Sequence, residues 1–239
     1  MEYTKITEQF LVNGNGRDVI LDGFDFTGKG FVKVTDAASL TIRNCRVYGL
    51  TLAAGKNYWL FVDSKNPIKL IVEHCYFGDS VAEGGVLYNF IEPHVVLADG
   101  SKFSHNYFTA KCCTHNTINL YGAAEQSKID VSSNVFEMSA GTVRVGVQGE
   151  PVCEITMDDN VIYAENPAYG PADQGLVTVQ PYGKLTSTFA NMTILMNNNI
   201  YPSEQLLSGY YGANDTVLTN ENMPKIVVNG TAIVAPIYH

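Results

Sequence analysis

A short pattern of apolar and polar residues returns seven times along this chain. It is clearest in residues 153–162, CEITMDDNVI, where alternate residues are apolar, two polar residues follow, and Asn, one residue and a last apolar residue complete the copy. Alternation of this kind is typical of a β-strand that buries one face. Each copy therefore predicts two short strands separated by a tight polar bend.

The copies align in four inward-facing columns. The first column is Val19, Leu40, Leu70, Ser101, Ile129, Ile155 and Ile194, and the second is Leu21, Ile42, Val72, Phe103, Val131, Met157 and Met196. The third is Phe24, Cys45, Cys75, Asn106, Asn134, Asn160 and Asn199, and the fourth is Phe26, Val47, Phe77, Phe108, Phe136, Ile162 and Tyr201. Successive copies begin 21 to 39 residues apart, although their internal spacing is constant. This combination favours strands stacked in a parallel β-solenoid.

Asparagine fills the third column in the last four copies. A buried amide is costly unless it is hydrogen-bonded, so we expect these side chains to bond to one another and to the backbone of the bend. The predicted structural ladder consists of Asn106, Asn134, Asn160 and Asn199.

The four columns and the Asn ladder resemble the single-stranded right-handed parallel β-helix of the pectate-lyase-like superfamily. The resemblance covers residues 17–201 and implies an all-β fold, a right-handed parallel β-helix (β-solenoid) of about seven coils. We then expect residues 1–16 to form an N-terminal cap. The pattern stops after Tyr201, so residues 202–239 are expected to form a C-terminal cap or extension, or a subunit-contact segment. The apolar tail KIVVNGTAIVAPIY alternates well enough to supply one or two more strands. Strand-like segments between the copies predict a third wall at residues 58–62, 86–88, 117–121, 143–147 and 176–179.

Enzymes of this fold place acids on the outward face of the third wall. The outward positions predicted here contain no Asp or Glu: they are Asn119, Tyr121, Arg144, Gln148, Thr178 and Gln180. The paired Asp158 and Asp159 occupy a bend, where Asp is a common turn residue. The motifs of polygalacturonase-like members are missing, and Arg144 lacks the acidic Ca²⁺ ligands that a lyase would need. We therefore predict no catalytic residues.

Composition and charge restrict the kinds of partner that the chain is expected to bind. The chain has 239 residues and a net charge of −9, which argues against nucleic acid because a phosphate-binding surface needs clustered Lys and Arg. The first residues, MEYTKITEQF, lack the features of a secretory signal, and no apolar run is long enough to span a bilayer. We expect a protein made in a cytosol without membrane contact. The five cysteines have no metal-binding spacing, so no metal or cofactor is predicted.

Three smaller pairings follow from the columns. Cys45 and Cys75 should stack as free thiols. His74 and His105 precede the third column on consecutive copies, which favours a polar stack over a two-His metal site. The positions Asp22, Arg43 and Glu73 should form a surface column of alternating charge.

The overall profile resembles structural proteins of tailed bacteriophages, such as capsid decorations, whiskers, tail fibres and tailspike stems. The resemblance implies a non-enzymatic virion protein, assembled in the host cytoplasm, that contacts other virion proteins or copies of itself as a homotrimer. One alternative is a polysaccharide lyase or hydrolase that uses Arg144, Tyr121 and loop acids such as Glu150 or Asp173. Another is a module that binds cell-surface glycans, with Tyr76 and Tyr107 as an outward stacking platform. The candidate ligand-binding residues are Tyr76, Tyr107, Asn119, Tyr121 and Arg144.

Overall fold

The chain forms an all-β structure. We describe it from a computed structural model, which covers residues 2–52, 58–82, 90–91, 95–109, 117–120, 126–137, 143–145, 152–163, 177–179, 189–201, 207–210, 219–234 and 237–238. Within these ranges the backbone forms strands, turns and bends and no helix. None of the described segments is therefore an apolar helix long enough to cross a membrane.

Strands alternate with turns and bends through the described residues. The first strands are β1 (Thr4–Ile6), β2 (Phe10–Asp22), β3 (Phe24–Gly28), β4 (Val32–Arg43), β5 (Arg46–Leu52), β6 (Leu60–Asp63), β7 (Lys69–Glu73), β8 (Tyr76–Phe77), β9 (Val81–Ala82), β10 (Ser101–Ser104) and β11 (Tyr107–Phe108). The later strands are β12 (Ile118–Leu120), β13 (Lys128–Ser132), β14 (Val135–Phe136), β15 (Val143–Val145), β16 (Cys153–Asp158), β17 (Val161–Ile162), β18 (Val177–Val179), β19 (Met192–Asn197), β20 (Leu207–Tyr210), β21 (Lys225–Val228), β22 (Thr231–Ile233) and β23 (Ile237–Tyr238).

The described strands form three sheets. The first sheet has the order β1-β3-β5-β8-β11-β14-β17, with β9 beside β5. The second sheet has the order β2-β4-β7-β10-β13-β16-β19-β21-β22, with β6 beside β4. The third sheet has the order β12-β15-β18-β20-β23. Neighbouring strands are parallel, except that β21 and β22 form an antiparallel pair.

The predicted columns are in register. In the second sheet, Val19 pairs with Leu40, and Leu40 pairs with Leu70. Further along, Ile155 pairs with both Ile129 and Ile194. The fourth column runs without a break through the first sheet, with the pairing order Phe26, Val47, Phe77, Phe108, Phe136 and Ile162. The spacing of the sequence pattern therefore predicted both sheets and their register.

The inward columns form a continuous apolar core. Phe108 stacks on Phe77 and on Phe136, with ring centroids 4.7 and 4.9 Å apart. Trp59 is fully buried and packs edge-on against Phe26 and Phe77, and its Nε1–H donates to a backbone carbonyl. Burial of each of these large side chains stabilises the fold by about 3 kcal/mol. The core therefore holds the sheets together.

Left-handed backbone at one position makes each bend between the second and first sheets. The residue before the third column has a positive φ in every copy: Gly23, Asn44, His74, His105, Ser133, Asp159 and Asn198. Gly adopts this conformation freely, and Asn, Asp and His tolerate it better than most residues. The polar character of the bend is thus a requirement of backbone geometry.

Residues 202–239 were expected to form a cap or extension with one or two further strands, and part of this segment continues the second sheet. Strand β21 pairs in parallel with β19, so that Ile226 lies beside Ile194 and Val228 beside Met196. Asn229 and Gly230, which both have a positive φ, form the tight turn between β21 and β22. The segment after residue 201 therefore adds an eighth copy to the second sheet, closed by the antiparallel strand β22.

The N-terminal segment also forms strands that pair within the two sheets. Strand β1 lies in the first sheet, with Ile6 beside Phe26, and β2 starts at Phe10, inside the segment expected to be a cap. In the third wall, isolated parallel bridges join Leu60 to Ile91 and Ile91 to Ile118. Ile91 thus connects β6 to the third sheet. The predicted strand at residues 86–88 lies outside the described residues.

Candidate ligand-binding groove

The Asn ladder has the geometry that its spacing predicts. The Oδ1 atom of Asn134 accepts hydrogen bonds from the backbone N–H of Asn106 at 3.1 Å and from its Nδ2 at 3.0 Å. Asn160 receives the same pair from Asn134, and Asn199 receives it from Asn160. Each Nδ2 also donates to a carbonyl oxygen of the second sheet, which for Asn134 is that of Phe103. The side-chain amides are therefore bonded to one another and to the backbone, and the ladder holds the bends together.

Two thiols extend the ladder towards the N-terminus. The N–H of Cys75 donates to Oδ1 of Asn106. The Cys45 and Cys75 sulfur atoms bond to backbone carbonyls, and both cysteines are free and buried. Burial raises the pKa of the Cys75 thiol well above its ordinary value, so it stays protonated. These cysteines are structural.

The residues considered for an enzyme were Arg144, Tyr121 and the loop acids Glu150 and Asp173. Tyr121, Glu150 and Asp173 lie outside the described residues, and of Arg144 only the backbone, paired with Asn119 and Thr178, is described. Asn119 was expected on the open surface, but it is fully buried. It alternates with the core residues of β12, so the outer face of this strand is covered.

The Asp158–Asp159 bend is structural as predicted from turn chemistry. Oδ1 of Asp158 accepts hydrogen bonds from the backbone N–H and from Nδ2 of Asn197, the paired residue on β19. Asp159 supplies the left-handed backbone of the bend, with a φ of 57°.

The other predicted pairings are present in part. The rings of His74 and His105 stack at 4.9 Å. Arg43 bonds to Asp22, and Asn44 donates to the same carboxylate, so that the pKa of Asp22 is lowered first by Asn44 and then by Arg43. Glu73 lies beside Arg43 in register. Among the described residues, no cluster of three or more His, Cys, Asp or Glu is placed to hold a metal ion.

A groove of about 700 Å³ crosses the outer face of the first sheet. We call it the Tyr76 groove, and its lining side chains are Arg46, Tyr48, Tyr76, Asp79, Thr109 and Glu137. Its volume lies within the range of small-molecule sites, about 300 to 1,000 Å³. Tyr76, predicted as a stacking residue, is 40% exposed and lies 5.9 Å from the parallel ring of Tyr107.

Glycine shapes the floor of the groove. A Cβ atom at position 78 would lie 2.8 Å from Cε1 of Tyr76 and 2.8 Å from Cβ of Tyr48. Real Cβ atoms do not approach other atoms so closely, so the Tyr76 ring depends on the bare backbone of Gly78. The sequence predicted Tyr76 as a stacking residue because of its outward position. It did not predict a role for Gly78, because the only indication was that this glycine follows Tyr76 by two residues.

A buried acid neutralises the cation of the groove. Asp25 is 6% exposed and accepts two hydrogen bonds from Arg46, at 3.1 Å from Nε and 2.8 Å from Nη2. Tyr48 donates its hydroxyl to the same carboxylate, and this bond raises the pKa of Tyr48. Arg46 also lies over the ring of Tyr3, 4.1 Å from its centroid. Arg46 is therefore rigidly placed and its charge is compensated.

Two carboxylates at the other side of the groove are bonded to neighbouring strands. Thr109 donates to Asp79 at 2.7 Å, and the Tyr107 hydroxyl donates to Glu137. The bond to Glu137 raises the pKa of Tyr107 to about 12. Both acids keep further acceptor capacity, since a carboxylate has two oxygens. Of these residues only Tyr107 was selected from the sequence, because a strand's outward positions carry no pattern that marks a site.

Comparison of the chain with protein-family models, with curated proteins and with solved structures finds no significant match. The function must therefore be argued from the strands, the ladder and the groove.

Proposed function

We propose that the chain is a right-handed parallel β-helix of the pectate-lyase-like kind that serves as a non-enzymatic structural component of a virus particle. A bacteriophage capsid decoration, whisker, tail fibre or tailspike-like protein is the form we favour. The observation that carries this proposal is the unbroken register of the second sheet, from Val19 to Ile226, beside the buried Asn ladder.

A stack of this kind suits a particle exposed outside the cell. Parallel pairing uses the backbone N–H and C=O groups of successive strands, so a protease finds few unpaired segments to bind. The buried amides add hydrogen bonds that are lost only when a whole bend opens. Slow unfolding is a more useful property for a virion component than for a regulated enzyme.

The proposed partners are copies of the chain, as a homotrimer, or other virion proteins. Leu11 and Ile20 are 65% and 59% exposed on β2, the edge strand of the second sheet. An edge strand with exposed apolar side chains favours a protein contact, because it offers both unpaired backbone groups and apolar area.

Two measurements test the proposal. Light scattering coupled to size exclusion should give three times the monomer mass of 26.1 kDa. Immunogold labelling of particles purified from cells that produce the protein should decorate intact virions. A monomer absent from particles would contradict the structural role, and release of reducing ends or unsaturated uronates from polysaccharides would contradict the non-enzymatic one.

A further inference from the structure

We propose that the Tyr76 groove binds a neutral oligosaccharide. This goes beyond a structural role, and it stands on the groove's own geometry whether or not the protein is part of a virion. Three features of the groove support the proposal: an exposed aromatic face, fixed hydrogen-bonding groups on both sides, and a charge balance that disfavours acidic sugars.

The aromatic face is held in position. Tyr76 sits over Gly78, where no side chain competes for the space. Behind it, Tyr107 stacks at 5.9 Å with an interplanar angle of 16° and is fixed by its bond to Glu137. A sugar ring packs its C–H groups against such a face, as other apolar groups do. A ring that is already immobile loses little conformational entropy on binding.

Polar groups flank this face. Asp79 and Glu137 offer carboxylate oxygens as acceptors for sugar hydroxyl groups, and Thr109 holds Asp79 from the next strand. On the opposite side, Asp25 fixes Arg46 with two bonds, which leaves further N–H donors of the guanidinium for a ligand. Adjacent hydroxyls of a sugar can donate and accept at once, which matches donors and acceptors placed across a groove.

Charge selects a neutral ligand. The positive charge of Arg46 is compensated by Asp25, whereas Asp79 and Glu137 present carboxylates in the groove. The whole chain carries a net charge of −9. A uronate or sialate in the groove would meet like charges at short range, and this costs binding free energy. The groove therefore differs from a polyuronate site in the class of sugar it takes.

Binding is tested with the intact protein on an array of neutral hexasaccharides (glucans, galactans and mannans) and acidic ones (oligogalacturonate and oligosialate), followed by titration calorimetry with the best neutral probe. Tyr76→Ala should weaken binding about tenfold or more, because it removes the stacking face. Tyr76→Phe keeps the ring and should bind nearly as well as the wild type. Tyr163→Ala is the matched control, since Tyr163 is 64% exposed and does not line the groove.

A second variant tests the selectivity. Asp79→Asn combined with Glu137→Gln removes both carboxylates and should let an acidic hexasaccharide bind at least about tenfold more tightly than it binds the wild type. Melting curves establish that each variant is folded. The proposal is overturned if no neutral probe binds at about 1 mM, if an acidic probe binds the wild type better, or if Tyr76→Ala and Tyr163→Ala weaken binding equally.

Discussion

One oxygen atom of Asn134 binds two groups of Asn106, the backbone N–H and the side-chain Nδ2, at 3.1 and 3.0 Å. Because the amide of Asn134 repeats the arrangement towards Asn160, each bend is tied to the next by two hydrogen bonds in the core. The energetic weight of the ladder follows from its burial, since none of these groups can turn to water instead.

Asn134→Ala should lower the free energy of unfolding by about 3 kcal/mol, since it leaves the backbone N–H and the Nδ2 of Asn106 buried without the oxygen atom that accepts both bonds. Urea unfolding measures the change. Asn66→Ala, at an exposed turn, is the control and should stay within about 0.5 kcal/mol. Equal effects of the two variants would mean that the ladder contributes nothing.

Because the bend is left-handed, two substitutions at Ser133 should change the stability in opposite directions. Ser133 has a φ of 57°, so Ser133→Gly should raise the free energy of unfolding by about 0.5 to 1 kcal/mol, and Ser133→Val should lower it by about 1 to 2 kcal/mol. Ser132→Val is the matched control, because Ser132 lies in strand β13 with extended backbone. If Ser133→Val is tolerated as well as Ser132→Val, the bend is not left-handed in solution.

The eighth copy predicts that residues after 201 are part of the cooperative fold. Ile226 is 2% exposed, so Ile226→Ala should cost about 3 kcal/mol, as other buried truncations do. Val234→Ala, at a side chain that is 77% exposed, should change the stability by less than about 0.5 kcal/mol. Chemical denaturation measures both changes. If the segment were a loosely attached tail, neither variant would change the free energy of unfolding.

Burial of Cys153 makes the stability fall in alkali. Desolvation raises its pKa from 9.0 to about 11, so as the pH rises the unfolded chain loses this proton before the folded chain does. The contribution is complete below about pH 9 and is lost between about pH 9 and 11. Relative to Cys153→Ala, the wild type should lose about 2 kcal/mol more over this range in urea titrations. Parallel pH profiles would show that the thiol is accessible to solvent.

Much of the architecture could be predicted from the sequence. The period of two located the second sheet, and the constant offset to the next apolar residue located the first, because register is set by which residues must be buried. The ladder followed from the cost of burying an amide. These inferences needed only positions that recur from copy to copy, such as Leu40 and Asn134.

Other features depend on contacts that no local pattern carries. The segment at Ile226 has no Asn in its third column, so the sequence pattern assigned it to a cap or extension rather than to the stack. The groove was missed because Gly78 acts by lacking a side chain. Likewise, Asp25 looks like any outward strand residue until Arg46 and Tyr48 are placed beside it.

Distances along one row of the second sheet test the stacking of the copies most directly. Thr41, Asp130, Thr156 and Leu195 occupy equivalent half-buried positions on β4, β13, β16 and β19. With spin labels at Thr41→Cys and each of the other three, and the native cysteines replaced, stacked strands predict distances of about 14, 19 and 24 Å, in equal steps. Distances that do not increase in this order by about one strand spacing per copy would contradict the account.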